Sequence, residues 1–213
     1  VLVYEMTRRI VPEGGIPLAV GVVVNNVSTL LNVSHAVDRD RPVIYRHLTI
    51  TGEVVHPKTV CVPIGTIIED IIALAGGSTV EDFVIIDGGP MMGNIVSSCD
   101  SVKKTTSGLI LLPREHTLVQ GKTQKINYSL RRAQAICCQC DACTKMCPRY
   151  LLGHHLYPNK TMVWMNYELS DFGPPITSAY LCCECGLCGL FSCPMGLTPV
   201  NIYKDIKARL KKQ

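Results

Sequence analysis

Ten of the twelve cysteines fall in two short, similar runs towards the end of this 213-residue chain. The first run is CCQCDACTKMC, residues 137–147, and the second is CCECGLCGLFSC, residues 182–193. Each run has three cysteines separated by two residues, and each ends in Cys-Pro. Three thiolates at this spacing let one tight loop hold three corners of an iron–sulfur cube. The runs therefore predict metal centres.

The spacing of the first run, C-x2-C-x2-C-x3-C-P, is typical of bacterial two-cluster ferredoxins. There the fourth cysteine ligates the other cluster, and the proline after it disfavours helical geometry at that cysteine. The second run has one more residue before its last cysteine, which alters only the crossing connection. We predict two [4Fe-4S] clusters with these ligand sets: Cys137, Cys140 and Cys143 with Cys193, and Cys182, Cys185 and Cys188 with Cys147.

The main alternative for such cysteines is zinc, which usually takes two C-x2-C pairs separated by a longer loop. Two triplets that are each followed by Cys-Pro fit that pattern poorly. Cys138 and Cys183 stand one step out of register, and we expect them to be buried thiols beside the clusters. Cys61, in an alternating strand, is predicted to be a small core residue.

Composition and charge restrict the remaining function classes. The formal net charge of +4 is too modest to indicate nucleic-acid binding. No apolar run approaches the roughly 18 residues that a membrane-spanning helix needs, and the first residues do not resemble a secretory signal. Clustered cysteines are typical of a reducing compartment. We therefore expect a soluble, cytoplasmic protein.

Hydrophobic periodicity indicates an α+β fold with several regions. In residues 1–42, the apolar run Val20–Val24 predicts a buried strand, and residues 28–37 predict a short helix. The apolar side of this helix consists of Leu30, Leu31, Val33 and Val37. Residues 43–95 predict a β-α-β unit, and residues 96–130 predict a connecting segment with one strand at 108–113.

The β-α-β unit has strands predicted at 43–52, 59–63 and 83–87. Its helix is predicted over 67–75, with Thr66 and Glu69 as a capping box. The last region, 131–213, holds the cysteine runs and ends in a helix that Thr198 caps and Pro199 begins. The apolar stripe predicted for that helix consists of Ile202, Ile206 and Leu210.

Several segments resemble a known family. VVVNNVST, residues 22–29, resembles the flavin-site segment of the NADH-binding flavoprotein subunit of respiratory complex I. Residues 46–77 resemble an SLBB domain, a soluble-ligand-binding β-grasp module. IIDGGPMMG, residues 85–93, followed by a double ferredoxin motif is similar to the family of the Rnf-complex C subunit. CPRYLLGHHLYPN and CPMGLTP are similar to cobalamin reductases of the PduS type.

This resemblance implies a tail of an α/β flavin-binding domain, an SLBB β-grasp module and a small bacterial-ferredoxin-like two-cluster domain. It also implies that the parent protein is an NADH-dependent oxidoreductase, in which electrons pass from NADH through FMN to the two clusters. The flavin contacts carry over to Val24, Asn25, Asn26 and Thr29. The alternative is that this polar stretch caps the following helix, with Ser28 or Thr29 as the cap.

The family's N-terminal Gly-rich segment, which holds the FMN phosphate and NADH, is not in this sequence. We therefore expect a C-terminal fragment whose partner is the upstream FMN/NADH domain of the same parent chain, and we do not expect it to bind FMN by itself. The acceptor is either a corrinoid, cob(III)alamin, or a redox partner protein such as a membrane Rnf-type complex. The bacterial location is then a microcompartment or the periphery of that complex. The alternative function is an SLBB module that binds a ligand or partner and carries structural clusters.

Overall fold

The computed structural model describes residues 1–166 and 178–210, and it divides the chain into two compact units. One unit, here the sheet unit, consists of residues 25–123. The other, here the cysteine unit, joins residues 1–24 to the described residues from 124 onward. Each unit has its own hydrophobic core. The predicted α+β class is confirmed.

The units divide the chain differently from the regions predicted from composition. The predicted N-terminal region, 1–42, contributes its first 24 residues to the cysteine unit and the rest to the sheet unit. Of the predicted cluster domain, residues 167–177 and 211–213 lie outside the described residues.

The described elements follow one another as short helices and strands. The helices are α1 (Leu2–Thr7), α2 (Val27–Arg39), α3 (Ile68–Leu74), α4 (Thr117–Thr123), α5 (Ile126–Ile136), α6 (Ala142–Lys145), α7 (Pro148–Leu151), α8 (Pro158–Asn166), α9 (Leu187–Leu190) and α10 (Pro199–Leu210). The strands are β1 (Tyr45–Gly52), β2 (Lys58–Pro63), β3 (Phe83–Asp87), β4 (Asn94–Val96) and β5 (Gly108–Pro113). Two 3₁₀ helices complete the set, Pro17–Val20 and Ser178–Leu181.

The sheet unit is built on a five-stranded mixed sheet in the order β2-β1-β5-β3-β4. β1 runs antiparallel to β2 and parallel to β5, and β3 is antiparallel to both β5 and β4. The four predicted strands are confirmed. β5, which lies in the predicted connecting segment 96–130, is the central strand of the sheet. β1 ends at Gly52, whose φ of 90° suits glycine and where a Cβ would clash with the Leu111 carbonyl.

The core of the sheet unit follows the period-two pattern of its strands. Leu48 and Ile50 of β1 are buried, while the residues between and beside them are exposed. They form one cluster with buried residues of β5 and α3: Leu109, Leu111, Ile68, Ile71 and Ile72. The apolar side of α3 therefore packs in the same core as the sheet.

Two predictions about this unit are wrong. Thr66 and Glu69 do not form a capping box: α3 begins after Ile67 without a side-chain cap, and the Thr66 hydroxyl donates to the Pro63 carbonyl instead. Cys61 is exposed and is not a core residue. It lies on the edge strand β2, where the alternation buries Val62 and turns Cys61 outward.

The predicted strand at Val20–Val24 is also wrong. Gly21 takes a left-handed φ of 73°, which ends the 3₁₀ helix Pro17–Val20 and interrupts an extended run. Val23 is 71% exposed. The predicted helix at 28–37 is confirmed and is slightly longer, as α2, although its predicted apolar side is exposed throughout.

The cysteine unit packs three longer helices, α5, α8 and α10, around a shared core. Pro199 begins α10 as predicted, because its missing N–H and restricted φ suit a first helical position. The predicted stripe is confirmed: Ile202 and Ile206 are buried, and Leu210 packs against the same cluster.

Residues 1–24 join this unit through a carboxylate and a histidine pair. Glu13 Oε1 lies 2.9 Å from His155 Nδ1 and accepts a hydrogen bond from the His155 backbone N–H. The same oxygen lies 3.9 Å from Nδ1 of the buried His154. These contacts hold the chain start against the segment that follows the first cysteine run.

Candidate metal centres

One hollow of the cysteine unit is formed by the first run and the end of the second. Cys137, Cys140 and Cys143 line it together with Cys193. Its remaining wall is largely apolar and includes Met162, Leu197 and Pro199. The structure thus brings together the first predicted ligand set.

A second hollow is formed by the second run and the end of the first. Cys182, Cys185 and Cys188 line it with Cys147, and its wall includes Leu156 and Tyr203. The residues that the sequence assigns to the second ligand set therefore also come together. Each hollow takes three cysteines from one run and one from the other.

The two loops wrap their hollows with the same backbone conformation. Gln139 and Glu184, the third residues of the two runs, have φ of 54° and 57°. Asp141 and Gly186, two residues further on, have φ of 63° and 80°. Left-handed residues at alternate positions curl the chain tightly, which turns successive cysteines toward one centre. A four-residue helix then follows each loop, α6 or α9.

Burial makes several of these thiols hard to ionise without a neighbouring cation. Burial, followed by repulsion from three other thiols, raises the pKa of Cys143 to about 11, and one of the three belongs to Cys193. Burial likewise raises the pKa of Cys182 to about 11. It raises the pKa of Cys188 as well, with neighbouring cysteines that include Cys147 adding to the shift. Because a thiolate is the ligand form, bound iron would compensate these charges.

Backbone and side-chain donors already point at the sulfurs. The Glu184 N–H donates to Cys182 Sγ over 3.3 Å, and the Leu197 N–H donates to Cys193 Sγ over 3.4 Å. In the first loop the Gln139 amide donates to Cys137 Sγ over 3.1 Å. Donors to sulfur are one of the means by which proteins set the potential of a cluster. The hollows thus fit iron–sulfur clusters in thiol content, wall and donors.

A site for one metal ion differs from a cluster site in how closely its ligands approach one another. In residues 1–166 and 178–210, no three His, Cys, Asp or Glu side chains converge closely enough to hold one metal ion. The ligands of one zinc ion lie about 2.3 Å from it, so their sulfurs would crowd together. Here four of the predicted ligands line each hollow.

Cys138 and Cys183 line the first and second hollow respectively. The expectation that both are buried is wrong, because both are exposed. That neither serves as a ligand stays a prediction.

The four predicted flavin contacts, Val24, Asn25, Asn26 and Thr29, are all exposed. Asn26 is the N-cap of α2, and its Oδ1 accepts hydrogen bonds from the Ser28 N–H at 3.0 Å and the Ser28 hydroxyl at 2.9 Å. The capping alternative therefore applies, with Asn26 as the cap in place of Ser28 or Thr29. Contact with flavin stays a prediction for these residues.

Sequence reasoning missed an ion pair beside the second loop. Lys207 Nζ donates to Glu184 Oε1 over 2.7 Å and to the Cys182 carbonyl over 2.6 Å. One signal was available: the repeated loops differ at this position, with Gln139 in one and Glu184 in the other. Lys207 lies on α10, too far along the chain for a local pattern to reveal it.

The family comparisons agree with these two units. Residues 136–198 match the model described as a 4Fe-4S dicluster domain, and residues 48–94 match the SLBB domain. The chain therefore contains a 4Fe-4S dicluster domain and an SLBB domain. No helix in the described part of the chain is long and apolar enough to cross a membrane.

The predicted resemblance to particular proteins is confirmed. The chain is 42% identical to cobalamin reductase PduS of Citrobacter freundii over 98% of its own length and 47% of that protein. It is equally similar to PduS of Salmonella typhimurium, over 99% of the chain and 47% of that protein. The C subunit of the proton-translocating ferredoxin:NAD(+) oxidoreductase complex of Clostridium ljungdahlii is 39% identical over 70% of the chain and 31% of that protein. The chain thus spans about half the length of its PduS relatives.

Proposed function

We propose that the cysteine unit transfers electrons through two [4Fe-4S] clusters with crossed ligand sets. Cys137, Cys140, Cys143 and Cys193 would hold one, and Cys182, Cys185, Cys188 and Cys147 the other. The single observation that carries this proposal is the pair of hollows, each lined by a triplet from one run and the last cysteine of the other. When bound, such a cluster accepts and releases one electron at a time.

We further propose that the parent protein is an NADH-dependent oxidoreductase that uses FMN. NADH donates a hydride, which carries two electrons, whereas the clusters take single electrons, so a flavin between them is required. Val24, Asn25, Asn26 and Thr29 would form one wall of its site. Their exposure on the surface leaves them accessible to a flavin bound by another part of the parent protein.

An exposed apolar surface supports the upstream FMN/NADH domain as the intramolecular partner. On α2, Leu30, Val33 and Val37 are between 53% and 79% exposed. Val27, at the start of this helix, is also exposed. Several exposed apolar side chains on one helix are typical of an interaction site.

For the terminal acceptor we propose cob(III)alamin. The support is that 98% of the chain matches a protein named cobalamin reductase, whereas 70% of the chain matches one component of an ion-translocating complex. A membrane Rnf-type partner is the other acceptor considered. We place the parent protein in the bacterial cytoplasm, either in a microcompartment or at the periphery of such a complex.

The test is to reconstitute the chain with iron and sulfide under anaerobic conditions and then add reductants. We expect iron and sulfide at the level of two [4Fe-4S] clusters, and visible absorption that bleaches with dithionite. NADH should leave the spectrum unchanged, even with FMN, until the upstream domain of a PduS relative is supplied. Reduced protein should then convert cob(III)alamin to a lower oxidation state.

Other results would redirect the assignment. A colourless protein containing about two zinc ions would replace the electron-transfer proposal with a zinc scaffold. Rapid bleaching of the chain by NADH alone would show that the flavin and NADH sites are misplaced. Clusters that load but cannot be reduced would favour a binding module with structural clusters.

A further inference from the structure

The two cysteine loops offer an internal comparison of cluster environments. Gln139 and Glu184 occupy the same place in the repeat and have nearly the same backbone conformation, with φ of 54° and 57°. Both stand two residues after the first cysteine of their loop. The loops therefore share a backbone conformation at this position, with a neutral side chain in one and a charged one in the other.

The two side chains make different contacts. The Gln139 amide donates to Cys137 Sγ over 3.1 Å. The Glu184 carboxylate accepts from Lys207 Nζ over 2.7 Å, and the same ammonium donates to the Cys182 carbonyl over 2.6 Å. An ammonium is thus attached directly to the main chain of a proposed ligand, and only in the second loop do the described residues place one there.

Burial makes this cation electrostatically effective. The Lys207 side chain is 18% exposed, whereas Glu184 is 34% exposed. The interaction between charges strengthens as water is removed from around them. The more exposed carboxylate is therefore screened more strongly than the ammonium, and the pair leaves a net positive influence on the second hollow.

Other charges around the hollows act in the same direction. Arg149 lines the second hollow, while Asp141 lines the first. Near the first hollow, the half-buried Arg132 contacts the carbonyl of Met195, a residue of the wall, over 3.4 Å, whereas Lys207 contacts the carbonyl of a proposed ligand. Reducing a cluster adds one negative charge, which a nearby cation stabilises.

We propose that Lys207, oriented by Glu184, is a positioning residue that raises the reduction potential of the cluster held by the second loop. The first cluster has no counterpart of this pair among the described residues. An electron shared between the clusters is thereby biased toward the second. This inference rests on the proposed function, because it requires both clusters to be bound.

Lys207→Met removes the charge and the two hydrogen bonds, and Lys207→Gln removes the charge but keeps a donor for the Cys182 carbonyl. The matched control is Lys204→Met, since Lys204 is exposed on the same helix. We expect both Lys207 variants to lower the one-electron equilibrium constant for reducing the second cluster by about tenfold, which corresponds to about 59 mV. The first cluster and the Lys204→Met protein should be unchanged.

Glu184→Gln gives the second loop the side chain of the first and leaves Lys207 uncompensated. We expect this variant to raise the potential of the second cluster, opposite in sign to the Lys207 variants. Iron and sulfide contents are measured first, and the potentials are then measured by redox titration followed by electron paramagnetic resonance. The potential is the deciding quantity, because a merely structural role would not shift it in opposite directions.

The possible outcomes distinguish failure of this inference from failure of the proposed function. A wild-type chain that binds no clusters overturns the proposed function. Two loaded clusters whose potentials are the same in Lys207→Gln, Glu184→Gln and Lys204→Met overturn the inference alone. If the Lys207 variants lose the second cluster, the Glu184→Gln variant decides the question. An unchanged potential of its second cluster would also overturn the inference.

Discussion

The two cysteine loops have nearly identical backbones and dissimilar surroundings. Each has left-handed residues at its third and fifth positions and continues into a four-residue helix. Cys140 is exposed and Cys143 half-buried in the first loop, whereas the equivalent Cys185 is half-buried and Cys188 buried in the second. In the second loop an ammonium also contacts the Cys182 carbonyl. Loop shape therefore follows cysteine spacing, while burial and charge follow the elements packed outside the loop.

The runs also differ in how they reach the opposite hollow. The first run places three residues between Cys143 and Cys147, and the second places four between Cys188 and Cys193. The longer segment includes the exposed Phe191 and Ser192, whose hydroxyl donates to the Cys188 carbonyl over 2.8 Å. An added residue in the crossing segment is thus accommodated outside the loop that wraps the hollow.

The largest expected effect comes from the two crossing cysteines. Cys147→Ser should abolish the cluster of the second loop, and Cys193→Ser that of the first, because each removes one of four ligands. Cys140→Ser should deplete chiefly the first cluster. Iron content and electron paramagnetic resonance of each variant would measure this.

The matched control for these variants is Cys61→Ser, since Cys61 is exposed on β2 in the sheet unit. It should retain both clusters. If Cys147→Ser and Cys193→Ser each lost the cluster of their own run, the crossed arrangement would be wrong and the comparison would reduce to two independent loops.

A smaller effect is expected from the wall of the first hollow. Met162 is 2% exposed and lines only that hollow. Met162→Ala should destabilise the cysteine unit by about 2–5 kcal/mol, as for other buried large-to-small changes, and should admit water beside the first cluster. Denaturation of the anaerobic protein and the rate of bleaching in air would measure the two consequences.

Ile202→Ala is the control for the wall, because Ile202 is equally buried in the same core but lines neither hollow. Ile202→Ala should lower the free energy of unfolding by a similar amount. It should not make the first cluster bleach faster than the second. Equal acceleration in both variants would show that the wall of the hollow has no protective role of its own.

The smallest effect concerns the left-handed position shared by Asp141 and Gly186. Gly186→Ala places a Cβ at a φ of 80° in the second loop and should lower the free energy of unfolding by about 1–2 kcal/mol. Asp141→Gly should cost little or nothing, because glycine adopts this conformation freely. Chemical denaturation of both reconstituted variants would measure the difference, and an equal loss in the two would contradict the shared geometry.

The elements that sequence predicted well are those whose signals are local. The alternation in β1 and the stripe on α10 each repeat over several residues, and both appear as expected. The strand expected at Val20–Val24 failed because an apolar run is compatible with several conformations, and Gly21 takes a left-handed one. The capping box failed because Thr66 found another acceptor, the Pro63 carbonyl.

Cys61 shows a second reason why a sequence pattern does not predict burial. The sequence of β2 shows an alternating pattern, but the pattern alone does not say which of the strand's two faces is covered. The place of β2 at the edge of the sheet decides that, and it leaves Cys61 exposed while Val62 is buried. Which residues of a strand form the core thus depends on neighbours that are distant in sequence.

By itself the sequence determined the two loops, because cysteine spacing is a local constraint that one tight turn of backbone satisfies. Only the tertiary structure decided the charges around them. Lys207 lies 25 residues from Cys182 in the chain, and their contact depends on how α10 is oriented. Burial of Ile202 and Ile206 sets that orientation, since hydrophobic packing fixes which side of a helix faces the core and therefore where its polar residues lie.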